Sequence, residues 1–343
     1  MKIGLVGYQR SGKSTLFELL TGVQPDPAKV QLGQVGIAIV PDDRFDGLVT
    51  LYKPKKTVPA KIELFDTPGL SRSEHSVNAQ RLGVIRESKA LVQVVGVFAG
   101  VEPLADVAAF DDDVVLADLQ IVTNRLDKLR KDITKPRPDR DALRQETEAL
   151  EPIAAQLEQG RMLHDFEFDH EQEKATKSFS LLSRKTRLVL LNTVDAALDE
   201  SVIKTLEAAG HRVVSAPAGL ELELQSLPAE DRALFAAEMG IGQPCRERLL
   251  QTIFSVTDQI TFFTCDEKEV HAWLLRRGGT AVEAADTIHS DLARGFIRAD
   301  IMSVNDLLRL GSERELKAAG LQHVEGKDYV MQDGDEIVVR SGI

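Results

Sequence analysis

Eight residues near the start of the chain have the types and spacing to hold a phosphate chain. Gly7-Tyr8-Gln9-Arg10-Ser11-Gly12-Lys13-Ser14 fits G-x-x-x-x-G-K-[ST]. The glycines permit a tight loop whose N–H groups converge on phosphate oxygens. The helix that follows adds the positive end of its dipole. In this frame Lys13 reaches the β- and γ-phosphates and Ser14 ligates Mg²⁺, while Gly7, Gln9, Arg10, Ser11, Gly12 and Thr15 line the nucleotide.

Asp66-Thr67-Pro68-Gly69 follows the apolar strand Ile62 to Phe65. A carboxylate at a strand end beside a phosphate loop can hold the Mg²⁺ shell with Ser14. The Gly69 N–H can bind the γ-phosphate and sense it, so Lys13 and Gly69 are the candidate catalytic groups. The two motifs together indicate a switch-type nucleotide hydrolase rather than a metabolite kinase, which needs no γ-phosphate sensor. Two expected parts are missing. Leu70 stands where many such enzymes place the glutamine that orients the attacking water. No Ser or Thr occurs between Thr21 and Thr50 to close on Mg²⁺, which leaves Asp26, Asp42 and Asp43 to approach. His75 is the nearby residue able to act as a base near neutral pH.

Asn192-Thr193-Val194-Asp195 ends the strand Leu188 to Leu191, where a base-reading N-K-x-D would sit with Thr193 in place of the lysine. An aspartate accepts from both N1–H and the 2-amino group of guanine, whereas adenine presents an acceptor at N1. Ser215-Ala216, after the next strand, resembles the loop whose backbone touches the base edge.

These residues need a scaffold, and the chain spells one. Strand-like runs at Lys2 to Gly7, Val35 to Val40, Lys61 to Phe65, Leu91 to Val97, Leu188 to Leu191 and Val213-Val214 alternate with helical text such as Ser14 to Thr21. Such alternation predicts a mostly parallel sheet covered by helices. Between its halves, Leu116, Leu119, Leu126, Leu129 and Ile133 form one helical stripe, and Leu143, Leu150 and Leu157 a second. Lys135-Pro136-Arg137-Pro138 separates them, so the two helices are expected to form an antiparallel hairpin. The C-terminal residues read as strands at Gln259 to Cys265, Val270 to Leu275 and Ile297 to Met302, with helices at Ala281 to Leu292 and Val304 to Leu310. Two more strands are expected about Asp333-Gly334 in Tyr329 to Arg340, which makes a small α+β domain.

At 343 residues the chain is too long for one ordinary domain. Apolar residues make up 43% and charged residues 28%, which excludes wholesale disorder. No apolar run is long enough to span a membrane. The N-terminus reads as a buried strand rather than a signal peptide. Cys245 and Cys265 are too few for a disulfide framework and fit free thiols in a reducing cytosol. A net charge of −12 rules out nucleic-acid binding by a basic coat over the whole chain. Locally the balance reverses: Arg125 to Arg144 carries eight Lys/Arg against four Asp. The hairpin tip, with Lys131, Lys135, Arg137 and Arg140, is therefore a candidate for RNA phosphates. From Asp258 onward ten Lys/Arg face sixteen Asp/Glu, so any RNA contact there must be site-specific.

Further text joins these motifs: Val35-Gly36-Ile37-Ala38-Ile39-Val40-Pro41-Asp42, Ile85-Arg86-Glu87-Ser88, and Val114-Val115-Leu116-Ala117-Asp118-Leu119. The tail runs from Phe263-Thr264-Cys265-Asp266-Glu267-Lys268-Glu269-Val270-His271-Ala272-Trp273 to Glu325-Gly326-Lys327-Asp328-Tyr329-Val330-Met331-Gln332-Asp333-Gly334-Asp335. Together they resemble the YchF-type Obg-like ATPases over essentially the whole chain. The resemblance implies an α/β P-loop domain (residues 1–100 and 186–257), an inserted helical coiled coil (101–185) and a C-terminal TGS domain with a β-grasp fold (258–343). It also implies ribosome association and ATP hydrolysis in preference to GTP, and it accounts for Leu70, since that family carries a hydrophobic residue there. The chain departs from the family at four places. Asp195 stands where the family's motif is N-x-x-E. Ser71 to Val84 replaces a glycine-rich segment and contains only Gly83. Val30 stands near the switch threonine. The segment after Phe98, where relatives carry a histidine proposed to help hydrolysis, is largely deleted before Val101-Glu102-Pro103. The expectation is a cytosolic, monomeric, Mg²⁺-dependent ATPase or GTPase with slow turnover, acting on ribosomes. The alternative is a nucleotide-gated binding module with little or no hydrolysis.

Overall fold

The structure is a computed structural model. It describes every residue except 74, 137, 196–199, 229–230, 233–234, 236–244 and 343, and the side chains of 75 and 76. The chain divides into two compact units, Met1–Ile37 with Glu63–Arg246, and Ala38–Ile62 with Glu247–Ile343. The sequence groups residues 38–62 with the nucleotide domain. In the structure they pack with the C-terminal residues.

The strands are β1 (Lys2–Val6), β2 (Gln34–Ile39), β3 (Lys56–Val58), β4 (Lys61–Asp66), β5 (Ala90–Gly96), β6 (Arg187–Asn192) and β7 (Arg212–Ala216). One six-stranded sheet has the order β2-β4-β1-β5-β6-β7, and its pairings from β4 to β7 are parallel. Every residue of β5 is buried, as a central strand covered on both faces requires. Leu5 is in register with Asp66 on one side of β1 and with Val92 on the other. The loops after β1 and β4 therefore leave the same carboxyl edge of the sheet, where open α/β sheets bind ligands. The first helix, α1 (Lys13–Thr21), buries Leu16, Phe17, Leu19 and Leu20.

The other helices of this unit include α3 (His75–Ile85), α4 (Pro103–Ile133) and α5 (Arg140–Glu158). The α4 helix begins earlier than its leucine stripe, at Pro103. Glu102 caps it, accepting from Leu104 N and Ala105 N. The antiparallel α4–α5 seam is built from Val115, Val122, Leu126 and Leu129 against Leu150, Ile153 and Leu157. The expected stripe is thus corrected by one residue at its start: Val115 is buried while Leu116 is 61% exposed. Arg125 spans the pair with two 2.7 Å bonds to Glu146. The first turns of α4 belong to the nucleotide unit's own core, where Phe110 and Val114 pack with Val6, Tyr8, Leu70, Leu82 and Ile85.

In the second unit, β8 (Gln259–Cys265) pairs antiparallel with β9 (Glu269–Arg276) and parallel with β12 (Asp335–Ser341). With β10 (Phe296–Ser303) and β11 (His323–Glu325), the order is β11-β10-β12-β8-β9-β3. The core of Ile260, Phe262, Ala284, Ala285, Phe296, Ile301 and Ile337 lies between this sheet and the helix Ala281–Ile288, whose first turn is closed by a Thr280–Glu283 capping box. Two expectations are corrected. The helix read as Ala281 to Leu292 is broken at His289, whose φ of −164° is extended, and resumes at Ser290–Arg294. Asp333-Gly334 is not a hairpin turn between two strands, because only Asp335–Ser341 is a strand. Asp333 instead accepts from Thr261 N and Arg44 Nη1, at 2.8 Å each. Through that arginine it holds α2 (Asp43–Tyr52), whose N-cap is Asp42, against the sheet.

Candidate functional site

The phosphate loop is shaped by backbone geometry that only some residues tolerate. Gly12 has φ +92°, and a Cβ there would lie 2.1 Å from Asn192 Nδ2. Arg10 adopts φ +63°, a strained conformation for a residue with a side chain. Lys13 is almost fully buried and its Nζ donates to the Tyr8 carbonyl at 2.7 Å. Burial pushes its pKa down to about 8, with Asp66 and Asp106 opposing the shift. Ser11 is buried, and its Oγ has no hydrogen-bond partner among the described residues. Ser14 and the half-buried Thr15 open α1.

Asp66 to Leu70 is fastened against this loop. Leu70 N donates to Gly7 O at 3.0 Å and Gln9 N to Leu70 O at 2.9 Å. Arg81, on α3, donates to Gly69 O at 2.7 Å. A Cβ on Gly69 would meet Gln9 Cα at 2.9 Å and Lys13 Nζ at 3.0 Å, so no other residue fits there without displacing the loop. The Leu70 side chain is fully buried in the core, and no water-orienting group comes from that position.

Ser14 Oγ donates to Asp66 Oδ2 at 2.7 Å. The other oxygen, Asp66 Oδ1, is buried with no hydrogen-bond partner among the described residues. Burial raises the Asp66 pKa against the pull of Ser14 and Lys13. A hydroxyl beside a carboxylate with an orphaned oxygen fits Mg²⁺, which takes one or two protein oxygens and completes its shell with phosphates and water. Among the described residues no group of three or more His, Cys, Asp or Glu forms a metal cage elsewhere.

A cavity of about 310 Å³ is lined by Gln9, Arg10, Lys13, Ser14, Asp66, Thr67 and Gly69 together with Pro25, Asp26, Pro27, Lys29, Val30 and Gln34. Of the acidic residues expected to approach the phosphates, Asp26 does line this cavity. Asp42 caps α2 and holds Arg44 in the other unit.

The base-side residues converge as well. Asn192 is buried, donates to Ser11 O and accepts from Ala218 N, both at 3.1 Å. It thereby ties the phosphate loop to the segment after β7. Thr193 N donates to Ala216 O at 3.1 Å, and Thr193 Oγ1 turns back to Asp195 O at 2.6 Å. Ser215 and Ala216 pair with Leu191 and Asn192 in the sheet. Asp195 is exposed at the following turn. The His75 side chain lies outside the described residues.

Three groups escape the sequence reading. Lys29 is the only lysine or arginine between Lys13 and Arg44, and two prolines, Pro25 and Pro27, precede it. Phe98 follows a buried strand yet is 43% exposed, with its ring against Gly12 and Gly96. Arg81 reaches Gly69 from a segment that carries no motif.

Comparison with known proteins agrees with this geometry. Residues 2–125 match the family model MMR_HSR1, described as 50S ribosome-binding GTPase. Residues 259–341 match YchF-GTPase_C, described as a protein of unknown function (DUF933). The chain is 34% identical to the ribosome-binding ATPase YchF of Bacillus subtilis, over 99% of each chain. It is 32% identical to Obg-like ATPase 1 of Oryza sativa subsp. japonica, over 100% of this chain and 92% of that one. The solved structure of the Schizosaccharomyces pombe YchF GTPase superposes with a TM-score of 0.80 at 25% identity, covering 99% of this chain and 97% of that one. Full-length identity above 30%, together with the same fold and both family domains, places the chain in the YchF family.

Proposed function

We propose that the chain binds ATP or GTP with Mg²⁺ in the 310 Å³ cavity, hydrolyses it slowly, and acts as a ribosome-associated switch. The observation that carries this reading is the convergence of Lys13, Ser14, Asp66 and Gly69 on one cavity at the carboxyl edge of the sheet. Lys13 would exchange the Tyr8 carbonyl for β- and γ-phosphate oxygens, a charge-assisted bond stronger than the one it leaves. Ser14 and Asp66 would hold Mg²⁺, which would neutralise phosphate charge when bound. The Gly69 N–H would meet the terminal phosphate. Gly7, Gln9, Arg10, Ser11, Gly12 and Thr15 would cradle the phosphates. Asn192, Thr193, Asp195, Ser215 and Ala216 would form the base end, with Phe98 as an apolar wall.

Hydrolysis needs a positioned water as well as neutralised charge. With Leu70 in the core, turnover of the isolated protein is expected at or below the ~10⁻⁴ s⁻¹ that a glutamine-bearing small GTPase manages unaided. The buried Leu70 also favours a second reading, a nucleotide-gated binding module with no useful hydrolysis. Equilibrium binding of ATP and GTP with Mg²⁺, followed by single-turnover phosphate release, separates the two. Absence of nucleotide binding in the wild-type protein would sink both.

Relatives named ribosome-binding support a ribosomal partner, and in this reading the chain works there as a cytosolic monomer. The hairpin tip, with exposed Lys131, Lys135 and Arg140, is the proposed RNA contact, and the C-terminal unit, read as a TGS domain, is the alternative. Arg137 lies outside the described residues.

A further inference from the structure

The lining of the phosphate cavity includes, besides Lys13, a cation that belongs to no motif. Lys29 ends the 3₁₀ turn Pro27–Lys29, which Asp26 caps by accepting from Ala28 N at 2.9 Å. The turn is fixed from both ends. Gln34 Oε1 accepts from Asp26 N at 2.7 Å, and Gln34 Nε2 donates to Gln24 O at 3.2 Å, stapling the two arms of the loop. Leu32 N and Gly33 N both donate to Lys29 O, at 3.0 and 2.8 Å. Pro25 and Pro27 remove backbone freedom on the near side. The lysine therefore lines, from a preset backbone, the cavity that Lys13 and Gly69 also line.

Its ammonium is held loosely. It pairs with Asp26 at 3.8 Å, between side chains that are 54% and 42% exposed. A water-screened contact of that kind contributes little and is easily exchanged. The segment supplies no hydroxyl that could close on Mg²⁺ and the terminal phosphate, since none occurs from Gly22 to Val49. A positive charge on a stapled turn cannot ligate the metal, but it can meet the terminal phosphate.

We propose that Lys29 binds the terminal phosphate of a bound nucleoside triphosphate and so makes this loop the site's discriminator between tri- and diphosphate. On binding, the ammonium leaves Asp26 for γ-phosphate oxygens. With a diphosphate in place there is no partner at that depth and the Lys29–Asp26 pair persists. The same charge stands where negative charge must be neutralised during phosphoryl transfer, so Lys29 also assists the step. The proposal rests on the reading of this cavity as a nucleotide site.

The test is equilibrium binding of ATP, ADP, GTP and GDP with Mg²⁺ to the full-length chain and to Lys29→Ala and Lys29→Arg, with a thermal melt of each protein without ligand. Lys29→Ala is expected to weaken the triphosphates about tenfold, the size of one charge-assisted hydrogen bond, and to leave the diphosphates within about twofold. Lys29→Arg should recover most of the loss. Single-turnover phosphate release at saturating ATP should fall in the alanine variant and return in the arginine variant. Equal weakening of tri- and diphosphates, or no change, with an unaltered melt would overturn the proposal. Failure of the wild-type protein to bind any of the four would instead remove the parent reading.

Discussion

The Tyr8 hydroxyl donates a 3.0 Å hydrogen bond to Asp113 Oδ2, joining the phosphate loop to the long insert helix about three turns beyond its start. Asn78 Nδ2 donates to the same oxygen at 3.1 Å and also to Ser71 O at 2.9 Å, while Ser71 N donates back to Asn78 Oδ1 at 2.8 Å. The Arg72 guanidinium lies over the Tyr8 ring at 4.5 Å and pairs with Asp106. The loop, the segment after Gly69 and the base of the hairpin thus share one polar cluster around the buried Leu70. Movement of the switch segment would have to break or carry these bonds, which gives the hairpin a physical link to the nucleotide.

Tyr8→Phe removes one donor from the buried Asp113 carboxylate and keeps the ring. The expected loss is about 1–3 kcal/mol of stability in chemical denaturation. A change below roughly 0.5 kcal/mol would show that water takes over the bond.

Nucleotide affinity should depend on the Lys13 proton. The free protein holds this ammonium at a pKa of about 8 because burial disfavours the charge, and phosphates would favour it. Affinity should be flat up to about pH 7 and then fall, by up to roughly tenfold per pH unit above 8. Binding at pH 8.5 should take up a proton, visible as a calorimetric enthalpy that varies with the buffer's ionisation heat. Lys13→Ala should remove the pH dependence and most of the stabilisation of about 2.7 kcal/mol that ligand at 100 times Kd confers. A flat profile in the wild type would place the phosphates away from Lys13.

The base end gives a sharper contrast. If Asp195 reads guanine, Asp195→Ala should weaken GTP about tenfold or more and leave ATP nearly unchanged, since a hydrogen bond to a charged group contributes about 1.5–3 kcal/mol. The family resemblance favours adenine, and the missing lysine at Thr193 leaves a guanine site incomplete, so poor discrimination with a slight ATP preference is expected in the wild type. Equal losses for both nucleotides would deny Asp195 a base-reading role.

In the C-terminal unit, Tyr52 Oη sits 2.9 Å from Glu313 Oε1 and 3.2 Å from Glu336 Oε1. One phenol proton shared between two carboxylates leaves the buried Glu336 poorly compensated for its charge. Burial, and then Glu313, raise its pKa to about 8, against Tyr52 and Lys317. A folded-state pKa above the unfolded value means stability that is complete at low pH and lost as pH rises toward 8. A loss of roughly a few kcal/mol between about pH 5 and 8 is expected in urea titrations. Glu336→Gln should flatten it, and persistence of the slope in that variant would point to another group.

Charge reversal at the hairpin tip, Lys131, Lys135 and Arg140 to Glu, should reduce ribosome co-sedimentation and flatten its salt dependence, because each neutralised phosphate contributes to the slope. Nucleotide affinity should not change. Undiminished co-sedimentation would direct attention to the C-terminal unit.

The sequence by itself determined the features that local backbone chemistry dictates. Gly7 to Ser14 and Asp66 to Gly69 are legible because only glycines at fixed offsets permit such loops, and because each sits at the end of an apolar strand. The strand at Gln259 to Cys265 matches its sequence reading to the residue, since a short run of β-branched and aromatic residues favours a strand buried on both faces. The tertiary structure decided what depends on a partner surface. Adjacent Val115 and Leu116 are both apolar, and only packing against α5 selects the valine, because one residue is a 100° rotation of a helix. Residues 38–62 join the C-terminal sheet through Arg44–Asp333, Tyr52–Glu336 and the β3–β9 pairing, contacts more than two hundred residues apart in sequence. Lys29 and Arg81 carry no motif, and they reach the cavity or its Gly69 wall only once a stapled turn and a helix bring them there. A position in sequence states what a side chain can do. Its charge acquires a target only when the fold sets the distance.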